Sequence, residues 1–202
     1  MQDVAMAHPH VFAEARLEVV ASDDGKLEAL RHVWRFDELF TSTVILEFDR
    51  DANDKLDKAE LEEVAQVVTN SIADFNYFQS ISVDGKEQEI APVSDLLVDV
   101  VDGQLLMLFT SAPANPVNMI QNPVFSVYDP TFYTAIEFFE ETDMQMVNAP
   151  SGCGFEMVIP DPEEAIAQNQ QSLTEAWFSD PDGNDLSRIF ATRMEVKCTA
   201  AG

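Results

Sequence analysis

The sequence predicts an α+β fold: an antiparallel, sandwich-like β body with an EF-hand-like helix–loop–helix inserted after its second strand and short helices near the C-terminus. Three observations lead there. Short segments of alternating polar and apolar residues recur along the chain, separated by turn residues such as Asp84-Gly85 and Asp102-Gly103. One block, about residues 37–76, replaces that period of two with apolar residues at helical spacing. The length of 202 residues is enough to bury roughly 70% of the unfolded surface around a core.

Taken in order, His10 to Val20 reads as a strand, Ser22-Asp23-Asp24-Gly25 as a turn, and Leu27 to Phe36 as the returning strand of a hairpin. Phe36, Leu39, Phe40, Val44, Ile45 and Phe48 then recur as one helix face, and Leu61, Val64, Val68, Ile72 and Phe75 as a second. Strands resume at Tyr77 to Val83, Gln88 to Ile90, Ser94 to Val101 and Gln104 to Ser111. The proline-rich stretch Ala112 to Pro123 is a loop, and further strands follow at Val124 to Tyr128, Tyr133 to Glu140 and Phe155 to Ile159. Asp161 caps a polar helix with Pro162 in its first turn, reaching about Trp177. The stretch Asp180 to Asp185 resembles a calcium loop only faintly, because Ala191 stands where a glutamate is needed, so it is read as a turn leading to a short helix from Leu186 to Arg193. No linker divides the chain. Residues 8–202 are expected to form one domain with the insertion at about 37–76, and residues 1–7 a signal-peptide remnant or tail.

Between the two helical faces lies the best-specified site. Asp49, Asp51, Asn53, Asp57 and Glu60 occupy positions 1, 3, 5, 9 and 12 of an EF-hand loop, with Lys55 offering its backbone carbonyl at position 7. Calcium needs six to eight oxygens at about 2.3 to 2.6 Å, and this spacing supplies carboxylates, a carbonyl and a bidentate glutamate at the places required. The sixth position, where a sharp turn favours glycine, is Asp54, a residue that tolerates the left-handed region by bonding its own backbone.

Thirty-seven Asp plus Glu against 11 Lys plus Arg give a net charge of −26, which repels phosphate backbones and anionic lipid and so argues against nucleic-acid or membrane-surface partners. Most of these acidic residues need no site to explain them, since a solvated surface uses them equally. No stretch has the roughly 20 apolar residues of a spanning helix. Ala5-Met6-Ala7 before His8 has the small-x-small form of a signal-peptidase site, which points to export, with a flexible alanine-rich tail as the alternative. Cys153 and Cys198 would close a loop of about 45 residues, worth roughly 4 kcal/mol as a disulfide; two separate buried thiols are the alternative.

Of three histidines, His8 and His10 stand two apart, and in an extended segment both rings project to one side, where zinc, nickel or copper could take their nitrogens. A frayed terminus with two exposed histidines is the other reading. His32 shares a strand face with Trp34 and Phe36, which fits a packed core histidine; a paired strand could also bring it to the terminal pair as a further ligand. Nucleophile elbows, phosphate loops and dinucleotide fingerprints are missing, so no enzyme chemistry is expected.

His8-Pro-His-Val-Phe12, His32-Val-Trp-Arg-Phe-Asp-Glu38, the EF-hand-like loop, Tyr128-Asp-Pro-Thr-Phe-Tyr133 and a late cysteine together resemble a family of exported bacterial proteins of uncharacterised function. Such proteins are described as the periplasmic component of an uncharacterised ABC-type transport system and often accompany nickel/cobalt-type permeases. The resemblance implies a periplasmic, divalent-metal-binding accessory protein whose partner is the membrane permease of a metal transporter, with calcium as a structural ion. A calcium-stabilised envelope interaction module without a transition-metal role is the competing expectation.

Overall fold

A computed structural model describes residues 9–179 and 186–199. The first hairpin pairs β1 (Val11–Ala21) with β2 (Leu27–Phe36), and strict alternation along β1 puts Val11, Ala13, Ala15, Leu17 and Val19 on one buried face. The chain then makes α1 (Glu38–Phe48) and α2 (Lys58–Ala73) before returning to strands. Next come β3 (Gln79–Val83), the two-residue β4 (Lys86–Glu87), β5 (Leu96–Val101) and β6 (Gln104–Ser111). After them lie β7 (Val124–Val127), β8 (Thr134–Glu137), β9 (Met144–Val147), β10 (Cys153–Val158), α3 (Pro162–Ser179) and β11 (Arg193–Cys198).

The strands form two sheets. One runs in the order β5-β6-β2-β1-β8, with β9 also on β1, and the other in the order β10-β11-β7-β3-β4. Pairing is antiparallel except along the far edge of β1, where β8 lies parallel to Val11–Glu14 and β9 parallel to Leu17–Val20. Together β8 and β9 behave as one edge strand interrupted by a turn at Glu141–Asp143, where the Asp143 carboxylate accepts the backbone N–H groups of Phe139 and Glu140. Between the sheets lies one continuous core, with Leu17, Trp34, Met107 and Phe109 from the first facing Ile81, Phe125, Met194 and Val196 from the second.

Both Asp-Gly turns hold positive φ at their two residues (Asp84 50°, Gly85 73°; Asp102 52°, Gly103 80°), as tight hairpins of this hand require. Asp161 accepts the N–H of Glu164 and so caps α3. Cys153 stands directly across from Cys198 in the β10/β11 ladder, and the two are joined as a disulfide.

Several boundaries differ from the sequence reading. The strand expected at Gln88 to Ile90 is instead Lys86–Glu87, because the tight turn pairs those residues with Ser82 and Val83, while Ile90 leaves to bridge Pro113. The strand expected to reach Glu140 stops at Glu137, and β9 was not anticipated. The expected helix from Leu186 to Arg193 is a 3-10 turn, Leu186–Phe190, and Arg193 already belongs to β11, drawn into register opposite Ser126 and Val158. The expectations at Ala5-Met6-Ala7, His8 and Asp180 to Asp185 lie outside the described residues.

The helix pair is fastened to the sandwich at its start. Asp37 caps α1 through the N–H of Phe40 (2.8 Å), while its second carboxylate oxygen accepts the N–H of Phe12 (2.9 Å) on β1. One turn later the buried Thr41 hydroxyl accepts the N–H of Leu105 (2.9 Å) on β6. Val64 and Ile72 of α2 complete the attachment by entering the core, with α2 lying against β5.

Candidate metal site

The loop between α1 and α2 is built by its own carboxylates. At the end of α1 the Asp49 N–H closes onto the Ile45 carbonyl (2.8 Å), and the Asp49 side chain then reaches forward to accept the N–H groups of Asn53 (3.2 Å) and Asp54 (2.7 Å). That curl needs left-handed backbone at Ala52 (φ 56°) and Asp54 (φ 63°), so the position where glycine is favoured does adopt the conformation that glycine serves. At the far end Asp57 accepts the N–H groups of Ala59 (2.8 Å) and Glu60 (3.0 Å), and Glu60 returns a bond to the Asp57 N–H (2.8 Å), a reciprocal capping box. The other Glu60 oxygen accepts the N–H of Arg50 (2.8 Å), and the Arg50 guanidinium pairs with Glu63. Thus the residue that opens the loop's first turn is tied to the residue that closes it.

The outcome is convergence. Carboxylate oxygens of Asp49, Asp51 and Glu60 lie within 4.8 Å of one another, and Glu60 is buried. Two like charges about 4 Å apart repel by about 1 kcal/mol in bulk water and about 4 kcal/mol near a protein surface, so such a group is held against its own repulsion unless a cation sits among it. The acidity of Asp49 bears on this. Partial desolvation pushes its pKa up, but the backbone N–H groups of Asn53, Asp54 and Ala52 favour the ionised form, and it is held below the ordinary carboxylate range. An all-oxygen donor set of this kind suits hard cations, calcium or magnesium, over nitrogen-seeking ions. Asn53 and Lys55 sit exposed in the same loop, and Asp57 is turned to cap α2.

The two described histidines, His10 and His32, are not gathered. His10 is exposed just ahead of β1; its N–H bonds the Tyr133 carbonyl (2.8 Å) and its ring lies 5.1 Å from that of Tyr133. His32 stands opposite Leu17, seven residues further along β1, which is about 23 Å of strand. It is 1% exposed, stacked at 4.4 Å on Phe109, with Nε2 3.1 Å from Oε1 of Gln79 on the opposite sheet. Gln79 Oε1 also accepts from Ser111 (2.7 Å), so the imidazole belongs to a buried polar staple across the sandwich. Burial without a charged partner lowers its pKa to about 3, the Gln79 bond opposing the shift, and keeps the ring neutral.

Sequence reasoning missed two supports. Asp129, nearly fully buried, accepts from the N–H and hydroxyl of Thr131 and from the N–H of Thr134, and thereby shapes the turn that holds Tyr133 against His10. Gln79 carries no local signal at all, since its partners are 32 and 47 residues away. Among the described residues no helix is long and apolar enough to cross a membrane.

Residues 1–198 match the family described as "protein of unknown function (DUF1007)", and the chain belongs to it. No curated protein matches the sequence.

Proposed function

We propose that this is an exported divalent-metal-binding protein of the bacterial envelope, with calcium in the α1–α2 loop as a structural ion and an accessory role beside the permease of a metal transporter. The convergence of Asp49, Asp51 and Glu60 on a loop with EF-hand spacing is the observation that carries the reading. Calcium at 100 times its dissociation constant would add about 2.7 kcal/mol to folding stability. Supporting export are the Cys153–Cys198 disulfide, a bond that persists in oxidising compartments, and the small-x-small sequence before His8. The accessory role rests on the sequence resemblance, and the terminal histidines His8 and His10 are its transition-metal ligands in this proposal, with zinc, nickel or copper as the ion. His32 has no part in it, because its Nε2 is engaged by Gln79 inside the core.

The second reading, a calcium-stabilised interaction module, draws on the distance between the two described histidines and on the apolar surface of α1. Isothermal titration of calcium, zinc, nickel and copper into the protein, a Glu60→Gln variant and a His8→Ala/His10→Ala variant separates the two. The proposal expects calcium binding lost with Glu60→Gln, and transition-metal binding lost with the histidine pair while calcium binding stays. Absence of calcium binding at millimolar concentration would overturn the structural-ion assignment. Transition-metal binding that is absent, or indifferent to the histidines, leaves the interaction module.

A further inference from the structure

We infer that the outward face of α1 is a docking surface for a cationic amphipathic helix of a partner protein. α1 is apolar on nearly every side, so the sandwich can cover only part of it. Thr41 and Val44 are buried and Phe40, Ile45 and Phe48 half-buried, whereas Leu39 and Leu46 are 77% and 85% exposed, the two most exposed large apolar side chains among the described residues. Leu39, Ser42, Thr43 and Leu46 stand at i, i+3, i+4 and i+7, a stripe about 10 Å long. The hydroxyls between the leucines are engaged by α1 itself, Ser42 donating to the Glu38 carbonyl (2.7 Å) and Thr43 to the Leu39 carbonyl (3.0 Å). The stripe therefore asks no polar contact of whatever covers it, and Glu38 and Glu47 bracket its two ends.

Charge selects the occupant. α1 contains no Lys or Arg, and residues 37–76 hold eleven Asp and Glu against three Lys and Arg. A second copy is a poor match, because α1 laid on α1 opposes carboxylate to carboxylate. It has few cations to offer elsewhere: nine of the chain's eleven Lys and Arg already form ion pairs. The segments outside the described residues, 1–8, 180–185 and 200–202, carry no Lys or Arg either. Anionic lipid is repelled by a chain of net charge −26. What fits is a helix that brings apolar anchors two turns apart and lysine or arginine beside them.

The probe is a synthetic Leu/Lys amphipathic helix of about 18 residues, long enough for five turns, with a scrambled peptide of identical composition as control. Both are titrated by fluorescence anisotropy into the protein and into Leu39→Gln/Leu46→Gln, a change that preserves charge and helix propensity at exposed positions. We expect the amphipathic peptide to bind the double variant at least tenfold more weakly, and the scrambled peptide to treat both proteins alike. Equal binding of the amphipathic peptide to both proteins would show charge attraction alone and overturn the inference. So would a concentration-dependent dimer of the parent protein that disappears in the variant, since the occupant would then be a second copy. An unchanged unfolding transition certifies the double variant; should it unfold, Leu46→Gln alone serves. The inference does not require a loaded loop, so the series is run in calcium and in chelator, and a failed calcium titration leaves its outcome readable.

Discussion

The sandwich and the helix pair treat polarity in opposite ways. Within the sandwich, the polar side chains buried between the sheets are met by distant parts of the chain, His32 by Gln79 on the opposite sheet and Gln79 by Ser111, and Cys153 is joined to Cys198 across the β10/β11 ladder. In the helix pair the loop carboxylates are met by backbone N–H groups within a dozen residues, and both charge and apolar surface are left facing outward. Stability is thus concentrated in the sandwich, and the surface able to recognise ions or partners in the helix pair. Each substitution below tests that division, starting with the largest effect.

Acid should strike the sandwich through His32. Its folded pKa is lowered to about 3 by burial, and an unfolded histidine titrates near 6.5, so between those values the unfolded state binds the extra proton. The neutral ring's advantage is complete above about pH 6.5 and shrinks as pH falls towards 3, a loss on the order of 4 to 5 kcal/mol. His32→Leu keeps an apolar group against Phe109 and leaves Ser111 bonded to Gln79. Denaturant unfolding of both proteins across pH 3 to 7 should show a shallower acid slope in the variant. Parallel slopes would mean that His32 is not buried neutral, and the staple would be lost from the comparison.

Removing the disulfide comes next. Cys153→Ala/Cys198→Ala releases a loop closed by residues 45 apart and should cost about 4 kcal/mol on the chain-entropy account. The sharper outcome concerns where the cost appears. Because the bond lies in the β10/β11 ladder, unfolding midpoints should drop while calcium affinity changes less than twofold. A large fall in calcium affinity would show that the two regions are coupled.

What the sequence revealed follows the same division. The loop was legible because its partners lie within one stretch, so spacing alone brought Asp49, Asp51 and Glu60 together. The β1–β2 hairpin and the Asp-Gly turns were legible for the same local reason. The far edge of β1 was not: β8 and β9 are four residues each, and they become strands by pairing in parallel with residues more than 100 positions earlier. Leu39 shows the other limit. Its spacing groups it with Phe40, Val44 and Phe48, yet a helix apolar on almost all sides does not announce which face the body will leave open. Likewise the i, i+2 spacing of His8 and His10 says nothing of His32, whose surroundings come from another strand and the opposite sheet.

The smallest effect sits in the loop, at Asp54. Its φ of 63° is a conformation in which a side chain is strained and glycine is not, and its N–H must stay in place to bond Asp49 at 2.7 Å. Asp54→Gly relieves that strain but also loosens the unfolded chain and removes a negative charge beside the candidate ion. Asp54→Asn separates these terms, since it removes the same charge while keeping a side chain that tolerates the left-handed region. Without calcium, Asp54→Gly should be more stable than Asp54→Asn by about 0.5 to 1 kcal/mol, measured by denaturant unfolding. With calcium, both should bind somewhat more weakly than the parent if charge governs the loop, whereas tighter binding by the glycine variant alone would mean that backbone strain limits affinity. Equal stability of the two variants without calcium would show that the loop tolerates a side chain at this turn without strain, and that its departure from the favoured glycine is neutral.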